Sequence, residues 1–124
     1  MDYLARFNSI FVEFVQDIIN IFPNDTDLPM CLTAVNAAIL IDNTMLNRLF
    51  HKHVSGMREF IMNKDEQFFL NKDFKECYTQ DEEYYSYMIT KVKKYWNDLE
   101  DYNKQSVWKY FTVLITLDDK INNI

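Results

Sequence analysis

Asp81 to Ile124 reads DEEYYSYMITKVKKYWNDLEDYNKQSVWKYFTVLITLDDKINNI, and the apolar spacing within it decides the fold. Tyr85, Met88, Val92, Tyr95, Trp96 and Leu99 recur mainly at three- and four-residue steps, the signature of one helix face. Val107, Trp108, Phe111, Leu114, Ile115 and Ile121 make a second such stripe after a turn near Asp98 to Asp101. The stretch is a C-terminal helical hairpin with a tryptophan on each stripe. It reads as a device for packing, with no reactive pattern in it.

Towards the N-terminus the helical spacing continues. Leu4, Phe7, Ile10, Phe11, Phe14, Val15, Ile18, Ile19 and Phe22 predict a first helix with a broad apolar face, capped by Asp2. Pro23 ends it, because the residue before a proline is pushed out of the helical region. Pro29 suits the first turn of a second helix after Asp27, about Leu28 to Ile41. Apolar residues lie nearly all round that helix, which predicts a central place in the bundle. Asn43 or Asp42 caps a short third helix through His53, and Gly56 ends that region. A short helix over Glu66 to Leu70 lies between polar turns.

The chain is therefore expected to be all-α: one compact domain, 1–124, of about five helices. Its core is expected around Phe11, Phe14, Ile18, Val35, Ile39, Leu49, Trp96, Trp108, Phe111, Leu114 and Ile115. At 124 residues, 48% hydrophobic and 16% aromatic, it has the length of one domain and enough apolar side chain to fold without disulfides or metal.

Composition also excludes chemistry. A single glycine, Gly56, leaves no phosphate-cradling loop and no tight hairpin turn. A net charge of −6 disfavours general nucleic-acid binding, which needs a basic surface. Cys31 and Cys77 show neither zinc spacing nor a secreted framework, which fits a reduced intracellular setting. The N-terminus does not read as a signal peptide, and no apolar run reaches membrane-spanning length. The expectation is a soluble protein that is not secreted and has no membrane contact.

Each possible constellation reads as structural. His51 and His53 are two residues apart, about 200° round a helix, so they cannot share a metal ion. The run from Asn63 lacks the glycine and the glutamate of a calcium loop. Glu82-Glu83 suits a helix start, whereas Asp118-Asp119 near a helix end is mildly unfavourable, with no local reason for it. Lys91, Lys93 and Lys94 beside Tyr95 and Trp96 could grip a nucleic-acid strand, but both aromatics lie on the apolar stripe. Cys31 reads as inert packing and Cys77 sits among acids; neither looks activated. No catalytic, cofactor-binding or metal residue is nominated.

The acidic middle is the exception. Asn63 to Glu83 carries seven acids against three lysines, four of the six net negative charges. Within it Phe68-Phe69-Leu70 sits between two Asn-Lys-Asp triplets. Phe68, Phe69, Leu70, Asp65, Glu66 and Asp73 are the candidate partner-binding residues.

Several of these patterns together resemble one group. They are Asn63-Lys64-Asp65-x-x-Phe68-Phe69-Leu70-Asn71-Lys72-Asp73, then Trp96-x-x-Leu99, then Asn103-Lys104-x-x-x-Trp108-Lys109-Tyr110-x-x-x-Leu114-x-x-Leu117. With Phe7-x-x-x-Phe11-x-x-x-Val15 and Ile21-Phe22-Pro23, they are similar to short helical proteins of nucleocytoplasmic large DNA viruses, the giant viruses of algae and protists. That group carries no assigned activity, so no site residue is carried over. The resemblance implies a viral protein of the infected cell's cytoplasm or virus factory, or of the virion. It implies a non-enzymatic interaction protein whose partner is viral, host or a second copy. The alternatives are a nucleic-acid-associated viral factor for transcription or genome packaging, and a Bcl-2-like antagonist of the host response. The latter fold has a Gly-Arg pair at a helix start, which Gly56-Met57-Arg58 does not supply.

Overall fold

The computed structural model describes residues 2–71, 90, 91 and 93–123, leaving out the Phe69 side chain. These residues form an all-α fold. The numbered helices are α1 (Tyr3–Ile21), α2 (Asp27–Ile41), α3 (Met45–Val54), α4 (Arg58–Met62), α5 (Glu66–Asn71) and α6 (Asp101–Asn122). Residues 90, 91 and 93–95 are also helical and lead into a 3-10 turn, Trp96–Asp98. Of the first hairpin arm, Tyr85, Met88 and Val92 lie outside the described residues.

α1 and α6 form the axis of the bundle. They run antiparallel: Phe14 meets Phe111 at 5.6 Å, and Lys120 lies over the Tyr3 ring at 5.4 Å. Asp2 caps α1 by accepting from the Ala5 amide at 3.0 Å, and the helix stops before Pro23 as the sequence requires. Phe7, Phe11, Phe14, Val15 and Ile18 are buried from α1, and Val107, Trp108, Leu114, Ile115 and Leu117 from α6. Trp96 and Trp108 meet edge to face, 5.3 Å between centroids at 73°, a favoured aromatic geometry.

Of the eleven expected core residues, eight are buried. Ile39 and Phe111 are partly buried against the core, and Leu49 is half-buried outside it. Phe7 and Phe50, in a T-shaped contact at 5.1 Å, hold the centre that Leu49 was expected to share.

Two local expectations are corrected. The third helix does not end the region at Gly56: a 3-10 turn, Ser55–Met57, carries the chain straight into α4. Gly56 adopts no left-handed backbone, so nothing breaks the helical path there. Asp25 caps the start of α2, its Oδ1 accepting from the amides of Asp27 (2.8 Å) and Leu28 (3.2 Å). Finally, α2 is not central. It packs on α1 and α3 and buries only Leu28, Cys31 and Val35. The aromatic stripes of α1 and α6 fill the interior, and α2, which has no aromatic residue, is left outside them.

Candidate functional site

Asp65, Glu66, Phe68 and Leu70 come together at the corner between α4 and α5, and the two acids point to internal partners. Asp65 accepts from the Phe68 amide at 3.0 Å and so starts α5. Glu66 Oε1 accepts from the Trp96 indole nitrogen at 2.5 Å and from Lys104 Nζ at 3.3 Å. Phe68 stacks flat on Phe60, 3.7 Å between centroids and 6° between planes. Leu70 is partly buried against the core. Phe60 and Met62 keep 37% and 44% of their surface exposed, two residues apart and therefore on different sides of α4. The Phe69 side chain and Asp73 lie outside the described residues, as do Cys77, Glu82 and Glu83.

Asp25 anchors a second cluster. Besides capping α2, its carboxylate takes Lys91 Nζ at 2.7 Å and the Tyr95 hydroxyl. Those bonds, Lys91's first and then Tyr95's, hold the carboxyl well below the usual aspartate range. The Tyr95 hydroxyl is pushed up, chiefly by its bond to Asp25. Tyr95 also stacks on Phe22 at 4.1 Å. The Cys31 thiol is raised by burial, then by Asp27 and Asp25. This cluster clamps Lys91 and Tyr95 onto the start of α2, and Lys91 is committed to it.

A third cluster explains the acidic pair at the end of α6. Asp118 is buried; its Oδ1 accepts from Asn47 and Asn122, both at 2.9 Å, and its Oδ2 pairs with His51 Nδ1 at 2.9 Å. Asp119 pairs with Arg58. These bonds join α6 to α3 and α4, an effect that outweighs a small dipole cost. His51 is part-exposed in this pair, while His53 is buried. Among the described residues no three His, Cys, Asp or Glu side chains gather in a way that could hold a metal ion.

Between α1 and α6 runs a groove of about 290 Å³, with Glu13 and Asp17 on one wall and Lys109 and Tyr110 on the other. The Tyr110 hydroxyl donates to Asp17 across it. Burial, then that bond, pushes its pKa well above the ordinary tyrosine value.

The outer face of α2 differs from all of these. From Leu28 to Ile41 the chain carries no charged residue. Yet Met30, Leu40 and Ile41 are 62%, 87% and 80% exposed, with Thr33 and Ala37 also exposed among them. Asparagine is the most polar residue in the run, and large apolar side chains facing water in one patch mark contact surfaces. Hydropathy alone reads this helix as central. A usable signal was present: a run of fourteen uncharged residues without one aromatic, beside two helices rich in them.

No single described helix is long and apolar enough to cross a membrane; α2 and the Met45–Met62 stretch would pass together, but they bend by 114° from one another. Compared with family models, curated proteins and solved structures, the chain matches none of them.

Proposed function

We propose that this chain is a non-enzymatic interaction module that meets a protein partner through the outer face of α2. The exposure of Met30, Leu40 and Ile41 on a charge-free helix supports this reading most directly. Transferring such side chains out of water is favourable by roughly 25 cal/mol per Å², and among the described residues α2 leaves that gain unused. The carboxylates that could suggest acid–base work, Asp25 and Asp118, are spent on joining helices. On the resemblance to the giant-virus group, the partner is viral or host, met in an infected cell or in the virion. Phe60 stacked on Phe68 is the smaller second surface. A nucleic-acid-associated role has less support, because Lys91 is tied to Asp25 and Trp96 is buried.

Photo-crosslinking tests the reading. A benzophenone amino acid replacing Leu40 should give protein adducts in expressing cells, and the same group replacing Gln16, exposed on α1, should give few. Equal yields at both positions, or none at Leu40, would sink it.

A further inference from the structure

We infer that the outer face of α2 is covered by the same face of a second copy of this chain, with the two helices antiparallel. The inference rests on the reading of α2 as a contact surface and names its occupant. At 100° per residue, Met30, Thr33, Ala37 and Leu40 fall within an arc of about 80°. Their steps of three, four and three read the same in either direction. Turned end for end, this row lays Met30 of each copy against Leu40 of the other, and Thr33 against Ala37. The small residues sit where two helix axes would approach, and the long ones fill the flanks. Alternating three- and four-residue spacing is that of helices packed side by side. A symmetric two-fold interface demands such self-complementarity, whereas an unrelated partner does not.

Charge points the same way. Two copies carrying −6 each repel, so contact is favoured where neither surface bears a charge, and Leu28 to Ile41 is such a surface. At its C-terminal end Arg48, 64% exposed at the side chain, pairs with Asp42 at 2.5 Å. That pair neutralises the charge at this end, and Lys91 lies 3.5 Å from Asp27 at the other, so neither end of the uncharged face adds an unpaired charge to an antiparallel contact. Opposed helix dipoles also favour this direction.

Size sets the strength. The face is on the order of 500 Å², so a pair buries on the order of 1,000 Å², the floor for a specific interface. That fits a dimer that dissociates in the micromolar range.

Sedimentation velocity of the purified protein between about 5 and 500 µM is the test. The mass should rise from 15.0 kDa towards twice that value. Met30→Lys and Leu40→Glu should each hold it monomeric, with unchanged circular dichroism because both sites are exposed; Ala37→Glu is a further single-charge probe. The double variant M30K/L40E should dimerise again, since antiparallel pairing sets each new lysine against a new glutamate. Parallel pairing would set like against like. A wild type that stays monomeric at the highest concentration overturns the inference, and so does a double variant that fails to recover. If the purified protein is monomeric while Leu40 adducts with a different protein form in cells, this inference falls and the contact reading stands. If no adducts form, both fall.

Discussion

Asn47 and Asp118 meet in the interior: Nδ2 of the asparagine donates to Oδ1 of the aspartate at 2.9 Å, across 71 residues of chain. Both side chains are buried, and His51 and Asn122 complete the set around the carboxylate. Asp118→Ala strands these donors and should lower stability by about 3 kcal/mol. Asp118→Asn keeps an acceptor and should cost less. Urea midpoints of the two variants decide it; equal, small losses would mean that the cluster is not coupled to folding.

Trp108 and Trp96 carry the core contact of the C-terminal region. Trp108→Ala should cost about 3–5 kcal/mol. A melting temperature within a degree or two of the wild type would show that the ring is not in the core.

Glu66 separates a structural role from a contact role. Glu66→Ala removes the acceptor of the Trp96 indole and should cost about 1–3 kcal/mol, whereas Glu66→Gln retains an acceptor and should cost less. A variant of unchanged stability would return Glu66 to the list of free surface acids.

Asp25 predicts a pH dependence. Its carboxyl titrates below the usual aspartate range when folded, so the folded state sheds this proton more readily than the unfolded chain. The resulting stability is fully present above the ordinary value of about 3.9 and drains away as the pH falls below it. Asp25→Asn should lower stability at pH 6 and flatten the loss between pH 4 and 2. Parallel curves for variant and wild type would contradict the Lys91–Asp25–Tyr95 clamp.

Cys31 is 2% exposed and its thiol is shifted up by burial. In a Cys77→Ser background its reaction with a disulfide reagent at pH 8 should be at least about 100-fold slower than in urea, because labelling waits on local opening. Fast labelling of the native state would place Cys31 at the surface.

Gly56 offers a stabilising change. A Cβ there meets nothing within 4 Å, and the backbone is not left-handed. Gly56→Ala should raise stability by about 0.4–1 kcal/mol by restricting the unfolded chain.

Much of the fold was legible because local chemistry and tertiary structure agree. The Phe7–Phe22 stripe ending at Pro23, and the Val107–Ile121 stripe, become α1 and α6 because their periodicity matches the face they bury. Where the reading failed, the deciding partner lay far away in the chain. Asp118 and Asp119 look misplaced beside a helix end until Asn47, His51 and Arg58 approach from 61 to 71 residues upstream. Glu66 looks like a surface acid until the Trp96 indole arrives, 30 residues later. The α2 error is of another kind. Hydropathy states that a helix can be buried, and competition among helices decides which one is. Phe7, Phe14 and Trp108 claim the interior with larger side chains than Ala34, Ala37 and Ala38 can offer.

The pairing of α1 with α6 has a consequence for synthesis. Phe7 finds Phe50 early in the chain, but Phe14 meets its aromatic partners Tyr110 and Phe111 only in residues 101–122, so that part of the first helix leaves the ribosome long before its counterpart exists. At about 5–20 residues per second, that delay lasts roughly 5–20 s. Through that interval Phe14 is without those two rings and open to any apolar surface nearby. Chaperone dependence during translation, more than slow folding of the finished chain, is the vulnerability that this helix order creates.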